Sequence, residues 1–330
     1  MTNQRFSRKA VTLITTLILL ILIIYSVDLK TVFEIIFLAN WFYLGLGFLF
    51  YFMIILIRAY RFKILLKKIS FFNVSVITMK YTLMNYIMPF KTGEFSFVYL
   101  AKKQGNFSYL KGFSVLIITR LFDFVAIVFL FFIGLYVSEK LPFGIFNVLF
   151  FSFIFLFLLL GIIILLVYFP DVFYSVIKSL MKYLRVPKKI SYFVDVHIRN
   201  IINYFKGYKS IIVLLYIFIS SLFLFLLGYL SMMMIIIALG SNIHITILAL
   251  LLPLLVLSTL LPINSLAGIG TYEGVWVLIL SYYGYTPETA LSLAIAIHLV
   301  QIFYIVLVGI LGWMFDLLNI SNHNVFDKKH

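Results

Sequence analysis

The 330-residue sequence contains no cysteine and few charged residues. The absence of cysteine excludes disulfide bonds, thiol nucleophiles and cysteine-ligated metals. Charged residues make up only 11% of the chain, 64% of the residues are hydrophobic, and the mean hydropathy is +1.16. A soluble protein of this length could not cover its surface with so few polar groups. The composition therefore indicates a polytopic helical membrane protein.

Acidic residues are scarcer than basic ones, with 11 Asp and Glu against 26 Lys and Arg and a net charge of +15. In a soluble protein such a charge would suggest nucleic acid binding, but here the basic residues cluster between apolar runs. That position is typical of cytoplasmic loops close to anionic inner-leaflet lipids. We therefore expect membrane lipids as partners and no nucleic acid, and the sequence leaves homo-oligomerisation open.

Six apolar runs are long enough to cross a bilayer core of about 30 Å as helices. They cover residues 11–27, 41–57, 112–137, 145–169, 211–239 and 290–313. Basic clusters follow the second and fourth runs and end the chain, so the positive-inside rule places both termini in the cytoplasm. We expect the protein in the cell membrane, with the first run retained as an anchor because no small-residue cleavage site follows it.

Two polar interruptions break the apolar sequence. The first is Pro89-Phe90-Lys91-Thr92-Gly93-Glu94, and the second extends from Pro262 to Gly274. In lipid, broken backbone is tolerated only where it is buried in protein or lines a wet cavity. The charge pattern predicts that residues 71–103 form a re-entrant hairpin dipping from the cytoplasm, and residues 245–283 one dipping from the outer face.

Each half of the chain then contains two spans, a hairpin and a closing span. The predicted fold class is an all-α integral membrane protein with six transmembrane helices plus two opposed re-entrant helical hairpins in an inverted-topology repeat, a layout typical of transporters. One membrane domain, 1–330, would comprise a first half, 1–137, and a second half, 145–313. Within the second half, residues 170–209 show apolar residues at helical spacing among lysines, which predicts a cytoplasmic amphipathic segment.

Arg120 and Asp123 lie inside the third span at positions i and i+3, on one helix face. A charge at membrane depth costs several kcal/mol unless it is paired or wet. One interpretation is a mutual salt bridge that fixes the helix. The other is that Arg120 binds an anionic headgroup while Asp123 orients it, because the planar guanidinium suits phosphate.

Glu94 and Glu273 each begin a short return arm of a predicted hairpin. Either carboxylate could cap a helix N-terminus. Alternatively, the two approach each other near the middle of the membrane and bind a cation, a proton or a headgroup amine. Lys91, at the tip of the first hairpin, is expected to face a wet cavity and to contact phosphate.

Arg58 and Arg61 lie at the inner end of the second span, and His298 lies in the last one. The two arginines are either ordinary membrane-surface anchors or the first contact of an anionic headgroup. His298 is either a hydrogen-bonded packing residue or a proton relay. The scattered histidines predict no metal site, and no cofactor motif or catalytic signature is present, so we expect neither a cofactor nor an enzyme.

Four motifs, taken in order, resemble the lysylphosphatidylglycerol synthase transmembrane-region family. They are Arg58-Ala59-Tyr60-Arg61, the run from Pro89 to Glu94, Arg120-Leu121-Phe122-Asp123, and Gly268-Ile269-Gly270-Thr271-Tyr272-Glu273. The resemblance covers nearly the whole chain. It implies translocation of a phospholipid or a polyprenyl-linked lipid between leaflets, as in flippase-like stand-alone proteins and the flippase module of multiple peptide resistance factors. The matching polar motif positions are Lys91, Glu94, Arg120, Asp123 and Glu273.

The chain departs from this family at two positions and in one domain. Phe97 and Tyr272 stand where the family often has basic residues. The soluble aminoacyl-transferase domain of the larger members is absent, so we expect no transfer of lysine to a lipid. Two alternatives to a translocase remain: a membrane enzyme or subunit of lipid-linked glycan or envelope-lipid synthesis, and a structural partner in an envelope-synthesis complex.

Overall fold

The computed structural model describes residues 29–67, 69–88, 92–105, 107–138, 145–258 and 266–326. The first predicted span, Lys91 and residues 262–265 of the second interruption lie outside these ranges. Every regular element within them is a helix. The all-α part of the predicted fold class is therefore confirmed for the described residues.

Twelve α-helices follow one another in the described residues. They are α1 (Leu29–Phe37), α2 (Trp41–Leu66), α3 (Phe71–Ile87), α4 (Glu94–Gly105), α5 (Tyr109–Val137), α6 (Ile145–Val167), α7 (Pro170–Tyr183), α8 (Lys188–Lys206), α9 (Ile211–Ala238), α10 (Ile245–Ser258), α11 (Thr271–Tyr282) and α12 (Pro287–Phe326). A short 3₁₀ turn, Leu266–Gly268, precedes α11.

Four of these helices, α2, α5, α9 and α12, are long and apolar enough to cross a membrane. The part of α6 from Phe153 also passes this test together with α7, from which it is bent by 112°. These helices correspond to five of the six predicted runs, and the bend lies at Pro170, where the amphipathic segment was expected to begin. The described residues thus form a multi-pass membrane protein.

Serine and asparagine side chains begin three of the helices near the site. Asn40 accepts a hydrogen bond from the backbone nitrogen of Phe42 at the start of α2. Ser70 and Ser108 do the same for the first turns of α3 and α5. Such caps satisfy backbone donors that have no partner inside the helix. They determine where these helices start.

The two hairpin regions pack crosswise between the halves of the chain. The arms α3 and α4 contact each other, as do α10 and α11. The longer arm α3 packs against α12 of the second half, and α10 packs against α5 of the first half. The helices α2 and α9, one from each half, pack extensively along one another. The helices α3 and α10 are therefore each held by a long helix that is distant in the sequence, α12 and α5 respectively.

Glycines permit the close approach in both of these crosswise contacts. A Cβ atom built on Gly134 of α5 would lie 2.2 Å from the carbonyl oxygen of Ala249 in α10. A Cβ atom on Gly309 of α12 would lie 2.4 Å from Leu83 in α3. Real Cβ contacts are never so short, so both helix pairs depend on the absence of a side chain.

A buried lysine also ties the first hairpin to α12. The Nζ atom of Lys80 lies 2.6 Å from Oδ2 of Asp316 and 4.4 Å from the ring centre of Trp313. Gln104 of α4 donates a hydrogen bond to the other oxygen of Asp316 at 2.9 Å. A single carboxylate on α12 thereby binds both α3 and α4.

The segment from α7 to α8 forms a helical pair beside the spans. The two helices contact each other, and α8 also packs against α5. The Tyr174 hydroxyl donates a hydrogen bond to Asp195 and, together with Arg199, holds the pKa of that carboxyl below its ordinary value. Val172, Val176 and Leu180 leave an exposed apolar stripe on α7. This pattern is the amphipathic one that the sequence predicted.

Candidate functional site

A cavity of about 450 Å³ lies between the two hairpin regions. Its walls come from α2, α3, α5, α9, α10 and α12, together with the starts of α4 and α11. The polar side chains that line it include Arg58, Asn85, Tyr86, Glu94, Arg120 and His298. Leucines of α10 complete a mixed polar and apolar lining, which is typical of ligand-binding cavities of about 300–1,000 Å³.

Arg120 enters this cavity from α5 and binds Glu94 at the start of α4. Its Nη2 atom lies 3.0 Å from Oε1 of Glu94 and donates a hydrogen bond to the Tyr81 hydroxyl at 2.6 Å. The nearest oxygen of Asp123 is farther away, at 3.8 Å from Nη1. The predicted salt bridge between Arg120 and Asp123 is therefore the longest of these three contacts. Glu94 and Tyr81 are the closer partners of Arg120.

Arg58 enters the same cavity from α2. Among the residues that the structure describes, its guanidinium forms no hydrogen bond and no ion pair. The described lining therefore carries two cations, Arg58 and Arg120, against one anion, Glu94. Glu273, directly behind His298, offsets this excess at the other side of the cavity. Arg58 is the lining cation without a hydrogen-bonded or ion-paired partner among the described residues.

Arg61, three residues along the same helix, has a different environment. It is only 1% exposed, and its Nη1 and Nη2 atoms bind both carboxylate oxygens of Asp123 at 2.6 and 3.1 Å. Ser221 of α9 accepts from Arg61 and donates to Asp123. Neither Arg61 nor Asp123 lines the cavity. This cluster joins α2, α5 and α9 in the interior.

His298 and Glu273 form a second buried pair at the other side of the cavity. The Nδ1 atom of His298 lies 2.5 Å from Oε1 of Glu273, and both residues are 4% exposed. The Tyr86 hydroxyl of α3 lies 2.5 Å from Nε2 of the same ring. The backbone N–H of Gly270, whose φ of 88° favours glycine, donates to Oε2 of Glu273. Glu273 therefore caps α11 and binds His298 at once.

The structure brings Arg58, Glu94, Arg120 and His298 to one cavity, with Glu273 directly behind His298. Glu94 and Glu273 each bind a different cationic or polar partner, Arg120 and His298 respectively. Arg61 and Asp123 lie in the interior cluster, and Lys91 lies outside the described residues. The described residues contain no group of three or more His, Cys, Asp or Glu side chains that could hold a metal ion.

Two tyrosines of the site were missed by the sequence analysis. Tyr81 binds Arg120, and Tyr86 binds His298. Both belong to α3, whose polar residues Thr82 and Asn85 also line the cavity. The polar residues of this apolar helix indicated that one of its faces is wet. They did not indicate that Tyr81 and Tyr86 would form hydrogen bonds with Arg120 and His298.

The two departures from the family pattern have different surroundings. Phe97 is fully buried and packs against Phe62, with ring centres 4.2 Å apart, and against Tyr81. It stabilises the base of the first hairpin behind Tyr81. Tyr272 lines the cavity and stacks on the ring of His298, with centres 4.2 Å apart. Tyr272 thus presents an aromatic face to the imidazole ring at the cavity wall.

Comparison with curated proteins gives no match to this chain, and comparison with solved structures gives none either. The sequence profile of the lysylphosphatidylglycerol synthase TM region matches residues 10–309. The match includes all four polar motifs and every residue of the cavity lining. Because it extends over most of the 330 residues, this chain belongs to the lysylphosphatidylglycerol synthase transmembrane-region family.

Proposed function

We propose that this protein moves the headgroup of an anionic lipid between the two leaflets of the membrane through the cavity. The observation that carries the proposal is Arg58, a cavity-lining guanidinium that forms no hydrogen bond and no ion pair with the described residues. A guanidinium in a low-dielectric site favours an anion, and its planar donor pair matches phosphate oxygens. The acyl chains would remain in the bilayer while the headgroup crosses.

Arg120 would serve as the second phosphate contact. It already binds Glu94 and Tyr81, so its side chain is held in place before a lipid arrives. A preorganised donor costs little conformational entropy when the ligand binds. Glu94 would limit the positive charge of the cavity and so favour singly charged phosphodiesters, or bind a headgroup amine. Lys91, next to this region in the sequence, would add a further phosphate contact.

The transport path would depend on an inverted-topology repeat. In this arrangement α3 and α4 dip from the cytoplasm, and α10 and α11 dip from the outer face. The crosswise packing of α3 on α12 and of α10 on α5 supports it, because a two-fold relation in the membrane plane would generate one contact from the other. The cavity would then lie near the middle of the membrane, with both termini in the cytoplasm.

The α7–α8 pair would lie on the inner leaflet and bind anionic lipids there. Its apolar stripe is exposed. Lys178, Lys182, Arg185 and Lys188 line a groove together with Asp195. Four cations against one carboxylate attract a negatively charged membrane surface. This contact would hold the bend between α6 and α7 at the headgroup level.

Mass spectrometry of the lipids that purify with the protein tests the binding step. We expect an anionic phospholipid or polyprenyl phosphate to be enriched with the wild-type protein and depleted with the Arg58→Gln variant. Loss of a charged hydrogen bond of about 1.5–3 kcal/mol corresponds to about a tenfold to hundredfold loss of affinity. The Arg58→Lys variant retains the charge and should retain part of the enrichment. Equal lipid profiles for wild type and Arg58→Gln would contradict the proposal.

A further inference from the structure

Three side chains form a continuous hydrogen-bonded chain beside the cavity. Tyr86 of α3 contacts His298 of α12, and His298 contacts Glu273 of α11, each at 2.5 Å. The chain therefore links both hairpin regions to the last span. Tyr86 and His298 line the cavity, whereas Glu273 does not. One end of the chain is thus accessible to a ligand and the other is buried in protein.

The positions of the hydrogen atoms follow from the types of group present. With Glu273 ionised, its carboxylate only accepts hydrogen bonds, and Nδ1 of His298 is the donor. In a neutral imidazole the other nitrogen is then an acceptor, and the Tyr86 hydroxyl donates to Nε2. In this state the chain carries one negative charge, and the hydroxyl hydrogen of Tyr86 points to His298 rather than to the cavity.

We propose that this chain binds one proton and that the proton and an anionic headgroup bind cooperatively. The inference rests on the proposed function, since it supplies a driving ion for the same cavity. The added proton binds Nε2 of His298, which then donates to the Tyr86 oxygen. The Tyr86 hydroxyl hydrogen must turn away from His298, and the charge of the chain changes from −1 to 0.

Both consequences favour an anion in the cavity. A rotated Tyr86 hydroxyl supplies a new donor to a phosphate oxygen, and the neutralised chain repels the phosphate less. Thermodynamic linkage requires the reverse effect to be equal, so a bound anion raises the affinity of His298 for the proton by the same factor. The proton comes from hydronium in the surrounding water, whose O–H bond breaks as the N–H bond of His298 forms, and no other covalent bond changes.

The charges around His298 support the same direction of coupling. The titratable groups that face it from other elements are Glu273 and Tyr272 of α11, Tyr86 of α3, and across the cavity Arg58 and Tyr51 of α2, Glu94 of α4, Arg120 of α5 and Tyr229 of α9. The described cavity lining of α10 contains no titratable group. The two arginines oppose an imidazolium, and a bound phosphate offsets them.

The full-length protein labelled with ¹⁵N-histidine, in bilayers, allows a direct test. A neutral imidazole gives two well-separated nitrogen resonances, whereas an imidazolium gives two similar ones. His298 is assigned from the His298→Gln spectrum, and exposed His244 in the α9–α10 loop serves as the matched histidine. The titration is run between about pH 5 and 8, in phosphatidylcholine bilayers with and without phosphatidylglycerol.

We expect His298 to be neutral with its hydrogen on Nδ1 at the upper end of this range, and to become an imidazolium as the pH falls. Phosphatidylglycerol should raise the midpoint for His298 by about 0.7–2 pH units more than for His244, since allosteric couplings are typically 5–150-fold. The difference should vanish in Arg58→Gln.

Two results would overturn the inference. One is a His298 ring that stays neutral throughout the range. The other is a lipid-induced shift that is equal for His298 and His244, or unchanged by Arg58→Gln. Lipid exchange measured in liposomes separates this failure from that of the proposed function. Exchange that is identical in wild type and His298→Gln at every pH rejects the proton coupling alone, whereas the absence of exchange at every pH rejects the translocase.

Discussion

Arg61 and Asp123 form a two-fold ion pair, with both guanidinium Nη atoms bound to the two carboxylate oxygens at 2.6 and 3.1 Å. The pair joins α2 to α5, and Ser221 extends it to α9. Arg58, three residues earlier in α2, lines the cavity instead. The two arginines of this motif therefore have different environments: Arg61 is paired in the interior, and Arg58 faces the cavity.

Removal of one member of the interior pair should destabilise the protein strongly. Asp123→Ala leaves the Arg61 guanidinium buried without its anion, which typically costs about 3–5 kcal/mol. We expect a marked fall in the thermal unfolding midpoint of the purified protein in detergent. The cavity-lining variant Arg58→Gln is the matched control, and its midpoint should stay close to that of the wild type.

The double variant Arg61→Met with Asp123→Leu tests whether the two side chains stabilise the protein as a pair. Replacing both charges by apolar groups of similar size leaves no buried charge unpaired. The loss of stability should therefore be smaller than in Asp123→Ala alone. Additive losses in the double variant would show that the two side chains do not act as a pair.

The crosswise packing of the hairpins predicts a position-specific effect of small substitutions. Gly134→Ala places a Cβ atom 2.2 Å from the carbonyl oxygen of Ala249, a backbone atom that cannot move alone. We expect the free energy of unfolding to fall by about 1–3 kcal/mol, measured by thermal or denaturant unfolding. Gly161→Ala in α6 meets no atom within 4 Å and should leave stability unchanged or raise it slightly. Equal effects at both positions would argue against the close contact of α5 and α10.

The absence of cysteine makes the orientation directly measurable. In intact cells, Ser179→Cys on α7 should react with a membrane-impermeant maleimide only after the membrane is opened. Asn242→Cys, in the exposed turn between α9 and α10, should react from outside without opening. Both positions are exposed, so reactivity depends on the side of the membrane rather than on burial. The opposite labelling pattern would contradict the proposed topology and indicate the inverted orientation.

The sequence predicted the apolar spans because hydrophobic run length is a local property. It placed five runs correctly, but it ended the second run at residue 57 where α2 continues to Leu66. Charged residues normally mark the end of a span, and here Arg61 continues into the interior because Asp123 neutralises it. Such a pairing, across 62 positions, leaves no local signal in one sequence.

The candidate site was also predictable only in part, because its unusual residues are local features of the sequence and their partners are not. Polar residues in apolar runs identified Arg58, Glu94, Arg120, Glu273 and His298 as unusual, but not their partners. The contact of Lys80 with Asp316 spans 236 positions, and that of Tyr86 with His298 spans 212. Tyrosine is common in membrane helices, so nothing in the sequence distinguished Tyr86 and Tyr81 from other aromatic residues.

Lipid exchange in liposomes tests the central claim most directly. The purified protein is reconstituted, and the transfer of fluorescent phosphatidylglycerol, phosphatidylcholine and polyprenyl phosphate between leaflets is followed with a membrane-impermeant quencher. We predict protein-dependent exchange of at least one anionic lipid, with the rate strongly reduced in Arg58→Gln, partly retained in Arg58→Lys and unchanged in Gly161→Ala. Exchange indistinguishable from protein-free liposomes for every lipid class, or equal rates for wild type and Arg58→Gln, would contradict the account.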